Sequence, residues 1–322
     1  MRTVAKFKNL RKFNILVTGA AGYIGSMLCT KLVEEGHNVT AVDILVYGST
    51  SLNHLFSKSN FHFIKADVTN IKVVKNIVRN KNFIIPLAAL VGAPLCEKNK
   101  KKAINTNLNS IKLIIKNIKK NQNIIFPTTN SGYGVGEKNK FCTEKTPLKP
   151  ISLYGRTKSD AENEVLKHKN SISFRLATVF GYSYRMRTDL LVNNFTSNAV
   201  NFNKLIVFEP HFRRNYIHIS DVVRAFVFAM NNFNIMKSNI YNLGLSSANI
   251  TKLDLARKIK RKLKKLIIKI NTSRKDPDKR DYFVSNKKIE KIGFMPLVTL
   301  DDGIDELINV FSYSNDKIIN NY

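Results

Sequence analysis

The stretch Phe13–Val46, FNILVTGAAGYIGSMLCTKLVEEGHNVTAVDILV, decides the fold of this chain of 322 residues. It begins with an apolar run and continues through Gly19, Gly22 and Gly25 into an amphipathic segment. A second apolar run follows and leads to Asp43. This order predicts a strand, a glycine-rich turn, a helix and a second strand with an acid at its end.

The spacing of the three glycines is typical of a turn that lies against the pyrophosphate of a dinucleotide. The first glycine allows the tight turn, the second lets backbone N–H groups approach the phosphates, and the third lets the helix pack closely on the strand. The free N–H groups at the helix N-terminus favour an anion at the same place. Asp43 can accept hydrogen bonds from both hydroxyls of an adenosine ribose and would repel a 2′-phosphate. The sequence therefore predicts NAD rather than NADP.

The chain is strongly basic, with 53 Lys and Arg against 23 Asp and Glu and a formal net charge of +30. Such a charge raises the possibility of a nucleic-acid partner. The densest basic runs, 98–102 and 257–265, contain no aromatic residues that could stack on bases. We therefore interpret the charge as a bias of composition and expect no nucleic-acid partner. An anionic substrate would also be attracted by this field.

Cysteines and apolar runs indicate the compartment. Cys29, Cys96 and Cys142 form neither a disulfide framework nor a CxxC pair, so we expect a reducing, cytoplasmic location and no metal site. No apolar run approaches the roughly 20 residues that span a membrane, so no membrane partner is expected. The basic first twelve residues lack the apolar core of a secretory signal. We expect a frayed tail there, with the remnant of an organellar leader as the alternative.

Strands and helices alternate over the first 130 residues, which predicts a doubly wound parallel sheet. Asp67 and Val68 follow the third predicted strand. The acid could bond an adenine amino group and the valine could cover its ring, with an ordinary loop acid as an equal alternative. The fourth strand ends at Leu87, and Ala88 and Ala89 follow. Small residues at a strand's carboxyl end suit a backbone that lies against a ligand, where open α/β sheets bind.

A tyrosine and a lysine form the second chemical signal. Tyr154 and Lys158 stand four residues apart, so they share one face of a predicted helix. A free tyrosine has a pKa of about 10, too high for a base at neutral pH. A nearby ammonium favours the phenolate and lowers that pKa, so the pair is a tunable general acid/base. The pattern is common in helices, and its weight comes from the hydroxyl cluster, with Thr129 and Ser131, that precedes it.

With these motifs in place, the chain resembles the extended short-chain dehydrogenase/reductase family, in its branch of nucleotide-sugar epimerases and dehydratases. TGAAGYIG at Thr18–Gly25 matches the family's TGxxGxxG, and Tyr154 and Lys158 match its YxxxK. Asn107 in TNLNSIKLI matches the helix asparagine that buttresses the active site. YIHISDVVRAF, Tyr216–Phe226, matches the segment that closes the substrate lobe. The resemblance covers nearly the whole chain.

The resemblance implies a role for each matching residue. Tyr154 is the catalytic base, Lys158 binds the nicotinamide ribose and lowers the pKa of the tyrosine, and Thr129 bonds the substrate hydroxyl. The expected NAD-binding residues are Gly19, Gly22, Tyr23, Ile24, Gly25, Asp43, Asp67, Val68, Leu87, Ala88, Ala89, Asn107, Tyr154 and Lys158. The expected substrate-binding residues are Ser131, Thr178, Arg187, Arg214 and Arg280, with Arg213 as a further candidate. Arg214 aligns with an arginine that contacts the nucleotide diphosphate, and a guanidinium matches phosphate geometry. Each of these arginines could equally be a solvated surface cation, which is the alternative.

Departures from the family pattern narrow the reaction. Asn130 and Ser131 stand where dehydratases carry an Asp-Glu pair, so no carboxylic acid is there to protonate a leaving hydroxyl. The glutamate of decarboxylases and the cysteine of 3,5-epimerases are also missing. Pro86 stands where a histidine is common, and Thr178 stands where epimerases often have asparagine. These last two changes leave the identity of the sugar open.

We therefore expect a Rossmann-type doubly wound parallel α/β sheet with a smaller C-terminal substrate-binding lobe. Residues 1–176, with 204–240 returning, would form the NAD-binding domain, and 177–203 with 241–322 the lobe. The expected activity is NAD-dependent epimerisation of a nucleotide-diphosphate sugar through a transient keto-sugar. An NAD(P)-dependent nucleotide-sugar reductase or dehydrogenase is the alternative. A non-catalytic nucleotide sensor or nucleic-acid-binding protein on the same scaffold is the third possibility.

Two long helices are predicted over Lys101–Lys120 and Ser152–Lys169. They resemble the helices of the family's dimer bundle, and the first has a wide apolar stripe that would be well buried or would pair with another subunit. We therefore expect a homodimer.

Overall fold

A computed structural model describes residues 12–137, 140–271 and 280–313 of the chain. The N-terminal tail up to residue 11 and most of the charged loop 276–281 lie outside these ranges. The strands are β1 (Asn14–Thr18), β2 (Asn38–Asp43), β3 (Phe61–Lys65), β4 (Phe83–Pro86), β5 (Asn123–Thr129), β6 (Phe141–Cys142), β7 (Ser171–Leu176), β8 (Thr178–Phe180), β9 (Lys204–Phe208), β10 (Arg213–His218), β11 (Asn239–Leu243), β12 (Asn249–Thr251), β13 (Ile267–Asn271) and β14 (Phe283–Val284).

The helices alternate with the strands of the central sheet and then connect the smaller sheets. They are α1 (Tyr23–Glu34), α2 (Ile71–Ile77), α3 (Ala93–Lys98), α4 (Lys100–Ile104), α5 (Ser110–Asn117), α6 (Leu153–Leu166), α7 (Leu191–Phe202), α8 (Ile219–Asn231), α9 (Phe233–Met236), α10 (Lys252–Lys262), α11 (Lys287–Lys291) and α12 (Leu300–Tyr313). Within the described ranges, no helix has the length and apolarity to cross a lipid bilayer.

Seven parallel strands form the central sheet, in the order β11-β7-β5-β4-β1-β2-β3. The chain starts in the middle at β1, winds out to β3, crosses back to β4 and continues to β11. The predicted doubly wound parallel sheet is therefore confirmed. Its crossover point lies between β1 and β4, which is where open sheets of this type bind their ligands.

The sequence of β1 explains why it lies at the centre of the sheet. Ile15, Leu16 and Val17 are all fully buried, because helices cover both faces of a parallel sheet. Ile15 and Val17 belong to the larger core, with residues of α1 and α8. Leu16 points to the opposite face, into the core that contains residues of α2, α5 and α6. A continuous apolar run thus serves two cores by simple strand alternation.

Two strands, β9 and β11, bear on the predicted division of the chain into two domains. β11 lies at the edge of the central sheet and spans the expected boundary at residue 240. β9, in the segment expected to return to the NAD-binding domain, pairs with β13 instead. Alternate residues of β9 are exposed, which suits a strand with one solvent face and not a position inside a doubly covered sheet. The division into an NAD-binding domain and a substrate lobe stays a prediction.

The predicted helix Lys101–Lys120 is interrupted. It consists of α4, a π-helical segment over Asn105–Asn109, and α5. A π-helical turn adds a residue to the helical repeat and is often found at functional sites. Here it contains Asn107, whose side chain is 1% exposed and points into the protein.

Candidate active site

A large cleft of about 1240 Å³ runs along the carboxyl ends of β1, β2, β4 and β5. Side chains from the segment 176–194 and from β10, α10 and residues 280 and 282 close its other side. Among the described residues, ten Lys and Arg line the cleft against three acids, so it favours an anionic ligand. All of the sequence-predicted site residues line this cleft except Asn107 and Arg213.

The glycine turn has no room for side chains. Gly19 has a φ of +67°, and a Cβ there would lie 2.6 Å from the backbone nitrogen of Ala88. A Cβ on Gly25 would lie 2.2 Å from the carbonyl oxygen of Gly19. Helix α1 begins at Tyr23 with no side-chain cap, so its first N–H groups are left for a ligand. The backbone is thereby shaped for a phosphate group at the start of α1.

Asp43 is held against this turn. Its Oδ2 accepts a hydrogen bond of 3.1 Å from the N–H of Ala21, and its Oδ1 accepts one of 2.7 Å from the N–H of Leu45. Burial raises the pKa of the Asp43 carboxyl above its ordinary value, and the backbone N–H donors oppose that shift. Each oxygen keeps a lone pair for a ribose hydroxyl. The turn and the carboxylate together fit a dinucleotide without a 2′-phosphate.

The other predicted cofactor residues continue along the same wall. Asp67 lines the cleft, and its Oδ1 accepts hydrogen bonds of 2.8 Å from both the N–H and the hydroxyl of Thr69. Val68 lies beside it and is buried. Ala88 donates its N–H to the Thr18 hydroxyl at 3.3 Å, which ties the end of β4 to that of β1. These contacts fix the backbone on which an adenine and a nicotinamide would lie.

Asn107 lies behind the cleft and braces it. Its Oδ1 accepts from the N–H of Leu90 at 2.8 Å, and its Nδ2 donates to the carbonyl of Leu90 at 3.0 Å. The same Nδ2 donates to the hydroxyl of Thr157 at 3.3 Å. Thr157 precedes Lys158 in α6, so Asn107 joins the segment after β4 to the helix that carries the predicted base.

Tyr154 and Lys158 come from the first turns of α6, which Ser152 caps with a hydrogen bond of 3.1 Å from the N–H of Gly155. Tyr154 is half-buried and faces the cleft. Lys158 is 5% exposed, and its Nζ lies 4.1 Å from the centre of the Phe126 ring. Burial lowers the pKa of the Lys158 ammonium to about 7, and the charge of Glu162 opposes the shift. The lysine can therefore exchange a proton near neutral pH.

The hydroxyl cluster after β5 is linked to the far side of the cleft. Thr129 donates its hydroxyl to that of Ser131 at 3.0 Å and accepts the N–H of Ser131 at 3.1 Å. Arg280 donates from Nη1 to the Ser131 hydroxyl at 2.5 Å. The structure thus brings together two predicted substrate residues that lie 149 positions apart in the chain.

The remaining predicted arginines differ in their surroundings. Arg187 is buried in the cleft wall and pairs with Asp189. Arg214 is buried, lines the cleft and donates from Nη1 to the carbonyl of Arg213 at 3.0 Å. Arg213 points away from the cleft and forms two hydrogen bonds of 2.8 and 3.0 Å with the carboxylate of Asp281. Because neighbours in β10 face opposite sides, only one arginine of this pair can line the cleft.

Several residues of the cleft wall were not predicted, and four of them have a large polar or cationic side chain. These are Tyr47, Arg185, Lys252 and Tyr282, and none belongs to a motif. Tyr47 follows Asp43 by four residues and Arg185 precedes Arg187 by two, so both had a local signal. Lys252 and Tyr282 have none, because long-range folding brings them to the site.

This geometry supports proton transfer at a hydroxyl of a bound anionic ligand. Tyr154 and Lys158 are chemically able to act together as a base, and the Thr129 hydroxyl is placed where it could orient the group. Bound NAD would add a reversible hydride acceptor to the same site.

Most of the chain is similar to known proteins. Residues 15–244 match the model of the NAD dependent epimerase/dehydratase family. Protein CapI of Staphylococcus aureus is 31% identical over 229 residues, 66% of this chain and 67% of its own. UDP-glucuronic acid decarboxylase 1 of Arabidopsis thaliana is 27% identical over 316 residues, 94% of this chain and 70% of its own.

A crystal structure of UDP-glucuronic acid 4-epimerase from Bacillus cereus, in complex with UDP-glucuronic acid and NAD, has a TM-score of 0.81. It is 24% identical, and the match covers 92% of this chain and 98% of that one. The likeness shows that the two share a fold.

The family match includes the glycine turn, Asp43 and the Tyr154–Lys158 pair. It confirms the predicted resemblance and, because the family uses NAD, the predicted cofactor. The geometry of the cleft and the matched residues lead to one conclusion: the chain belongs to the NAD-dependent epimerase/dehydratase family, whose members act on nucleotide sugars.

Proposed function

We propose that the chain is an NAD-dependent epimerase that inverts a carbon of a nucleotide-diphosphate sugar through a transient keto-sugar. The observation that carries the proposal is that the cleft contains the three residues of a general base but no neighbouring carboxylic acid that could protonate a leaving hydroxyl. Tyr154, Lys158 and Thr129 line the same cleft. Among the described residues that line it, no carboxylic acid stands beside them.

The three acids of the cleft wall all have other surroundings. Asp43 is held at the glycine turn, and Asp67 accepts hydrogen bonds from Thr69. Asp189 pairs with Arg187. Loss of a hydroxyl as water needs a group that protonates it, and a neutral carboxylic acid is the usual donor. Asn130 and Ser131, after Thr129, supply none. This favours a reaction that keeps every atom of the sugar.

The residues of the chain can manage the proton of such a reaction. Thr129 would accept or donate a hydrogen bond at the reacting hydroxyl, and Tyr154 would take its proton as the phenolate. The Lys158 ammonium would stabilise that phenolate. Removal of the hydroxyl proton, and of the hydrogen on the same carbon as a hydride for which bound NAD would supply the acceptor, leaves a ketone. Return of the hydride to the opposite face of that carbon, and of the proton to the oxygen, gives the epimer. The tyrosine gives its proton back, so each cycle ends with the same protonation state.

The cations of the lobe side suit the nucleotide diphosphate. Arg214 and Arg280 line the cleft, and Arg187 lies in the same wall. Arginine binds phosphate through two parallel hydrogen bonds, so it can fix the orientation of the nucleotide. The sugar would then extend toward Thr129 and Ser131, which Arg280 already contacts. Accurate orientation of the reacting hydroxyl supplies a large part of the rate in such reactions.

The test is a panel of UDP- and dTDP-linked sugars, neutral and acidic, incubated with the protein and NAD. Products would be separated by chromatography and identified by mass spectrometry and NMR. We expect a product of unchanged mass with one inverted carbon and no net reduction of NAD. A product lighter by one water or one CO₂ would refute the proposal in favour of a dehydratase or a decarboxylase. Stoichiometric absorbance of reduced nicotinamide would indicate a one-way dehydrogenase instead.

We also propose the homodimer predicted from the two long helices, together with the cytoplasmic location. Analytical ultracentrifugation of the purified protein would test the first. Sedimentation as a monomer at micromolar concentration would rule it out. Fractionation of the source cells would test the location.

A further inference from the structure

One segment of the lobe side, Gly181–Arg187, is docked on the first turn of α1. Tyr23 donates its hydroxyl to the carbonyl of Gly181 at 2.8 Å. Ser183 donates its hydroxyl to the carbonyl of Tyr23 at 2.7 Å and lies 3.2 Å from the hydroxyl of Ser26. All of these groups are buried. The segment is therefore fixed next to the helix end whose free N–H groups favour a phosphate.

Arg185 lies in the middle of this docked segment. Arg185 lines the cleft although only 6% of its surface is exposed. Its guanidinium is stacked over the ring of Tyr47, 4.1 Å from the ring centre. One nitrogen, Nη1, donates to the carbonyl of Met186 at 2.6 Å. The other, Nη2, is buried and has no hydrogen-bond partner among the described residues.

Arg185 also forms no ion pair with any described carboxylate, although the more distant charge of Asp189 acts on it. Arg187, two residues on, has the carboxylate of Asp189 within ion-pair distance. In the described part of the chain, no carboxylate comes that close to Arg185. A buried charge without a partner costs several kcal/mol, because nothing replaces its water. Such a group in the wall of a cleft is explained if a bound anion completes it.

The neighbours of Arg185 indicate which anion. Tyr47 stands four residues after Asp43, on the loop that follows β2. That loop borders the adenosine half of a dinucleotide held by the carboxylate. Ser183, which receives the backbone N–H of Arg185 at 3.3 Å, is itself bonded to the start of α1. Both contacts are on the cofactor side of the cleft. The cations assigned above to the substrate are Arg187, Arg214 and Arg280.

We infer that Arg185 binds the pyrophosphate of the dinucleotide from the side opposite the glycine turn. The phosphates would then lie between the N–H groups at the start of α1 and a guanidinium supplied by the docked segment. This contact would hold the cofactor through repeated turnovers. It concerns the cofactor alone, so it does not depend on which sugar is bound or on which reaction follows.

The experiment compares Arg185→Met with two controls. Arg185→Lys keeps the charge. Arg257→Met removes the same charge from the exposed face of α10, outside this cleft. Protein freed of co-purified nucleotide would be titrated calorimetrically with NAD, ADP, adenosine and UDP. We expect Arg185→Met to weaken the binding of NAD and ADP by roughly 10- to 100-fold, which is the range of a charge-assisted hydrogen bond. The affinity of this variant for adenosine and for UDP should be unchanged. Arg257→Met should bind all four ligands as the wild type does.

Each of the other outcomes overturns the inference. If Arg185→Met weakens the binding of adenosine as much as that of ADP, Arg185 only positions Tyr47. If it weakens the binding of UDP and leaves that of NAD unchanged, Arg185 binds the substrate diphosphate. If it changes the binding of no ligand, Arg185 contacts no phosphate.

Thermal denaturation separates ligand binding from a structural role. Because the unpaired charge costs stability in the free protein, Arg185→Met without ligand should melt no lower than the wild type. The rise in melting temperature that saturating NAD produces should become smaller. A lower melting temperature of the free variant, with the NAD-induced rise intact, would show that the stack on Tyr47 is structural and would refute the inference.

Discussion

Asn107→Leu tests whether the π-helical segment supports the site, and its cost can be worked out from the structure. Leucine has nearly the same size but cannot hydrogen-bond, so the change removes the bonds of 2.8, 3.0 and 3.3 Å. The N–H of Leu90 loses its partner, and the carbonyl of Leu90 keeps only the weak hydrogen bond of 3.4 Å from the Cys96 thiol. Leaving a buried polar group unpaired costs about 1–3 kcal/mol. Two fully unpaired groups would cost about 2–6 kcal/mol, and the remaining thiol bond together with the partial exposure of Leu90 favours the lower half of that range.

Urea denaturation of the free protein, followed by circular dichroism, would measure this loss. Asn109→Leu is the matched control, since Asn109 lies in the same segment and its exposed side chain has Asn105 as its only hydrogen-bond partner among the described residues. That variant should change the free energy of unfolding by less than about 0.5 kcal/mol. NAD affinity should fall for Asn107→Leu, because Leu90 belongs to the cleft wall. Equal stability of the two variants would refute the bracing role.

Three shorter predictions concern the cleft directly. Tyr154→Phe should lower kcat by about 10²–10⁴-fold while NAD affinity stays within twofold, since only the proton acceptor is lost; a variant that turns over normally would remove Tyr154 from the mechanism. Lys158 has a pKa of about 7 in the folded protein, below its unfolded value, so the unfolded state holds more protons between pH 7 and about 10. Wild-type stability relative to Lys158→Met should therefore rise across that window, as chemical denaturation at several pH values would measure. A difference that stays flat with pH would contradict the lowered pKa of Lys158. Asp43→Asn should weaken NAD binding roughly tenfold and narrow the preference for NAD over NADP, because an amide has one acceptor oxygen where the carboxylate has two and does not repel a 2′-phosphate. Titration with both dinucleotides gives the ratio of the two affinities. An unchanged ratio would mean that another group recognises the ribose.

Local rules account for the parts of the site that the sequence predicted. Gly19 must be glycine because the chain turns there with a positive φ and passes close to Ala88. Asp43 follows the turn at the distance of one helix and one strand, so the spacing predicts where the carboxylate lies. Tyr154 and Lys158 share a face because helical periodicity puts residues four apart on one side. Each of these statements depends on neighbours within about thirty residues, roughly the length of one strand–helix–strand unit.

Other features had weaker signals or none. A π-helical insertion has no characteristic composition, so the sequence predicted a continuous helix Lys101–Lys120. The structure interrupts this helix at Asn105–Asn109. Strand alternation predicts that Arg213 and Arg214 face opposite sides, but it does not predict which of the two lines the cleft. The answer depends on Asp281, which pairs with Arg213 across 68 residues.

The sequence by itself thus determined the parallel sheet, the glycine turn, the choice of NAD and the placement of Tyr154 and Lys158 on one helix face, since each follows from backbone geometry or periodicity along a continuous stretch. The tertiary structure alone decided which cations line the cleft and what each of them contacts. It brought Arg280 to Ser131 and Arg185 to Tyr47, and it left Arg187 paired with Asp189. The physical reason is that a side chain's charge is balanced by whatever packing brings within a few ångströms, and this packing joins segments that lie far apart in the chain.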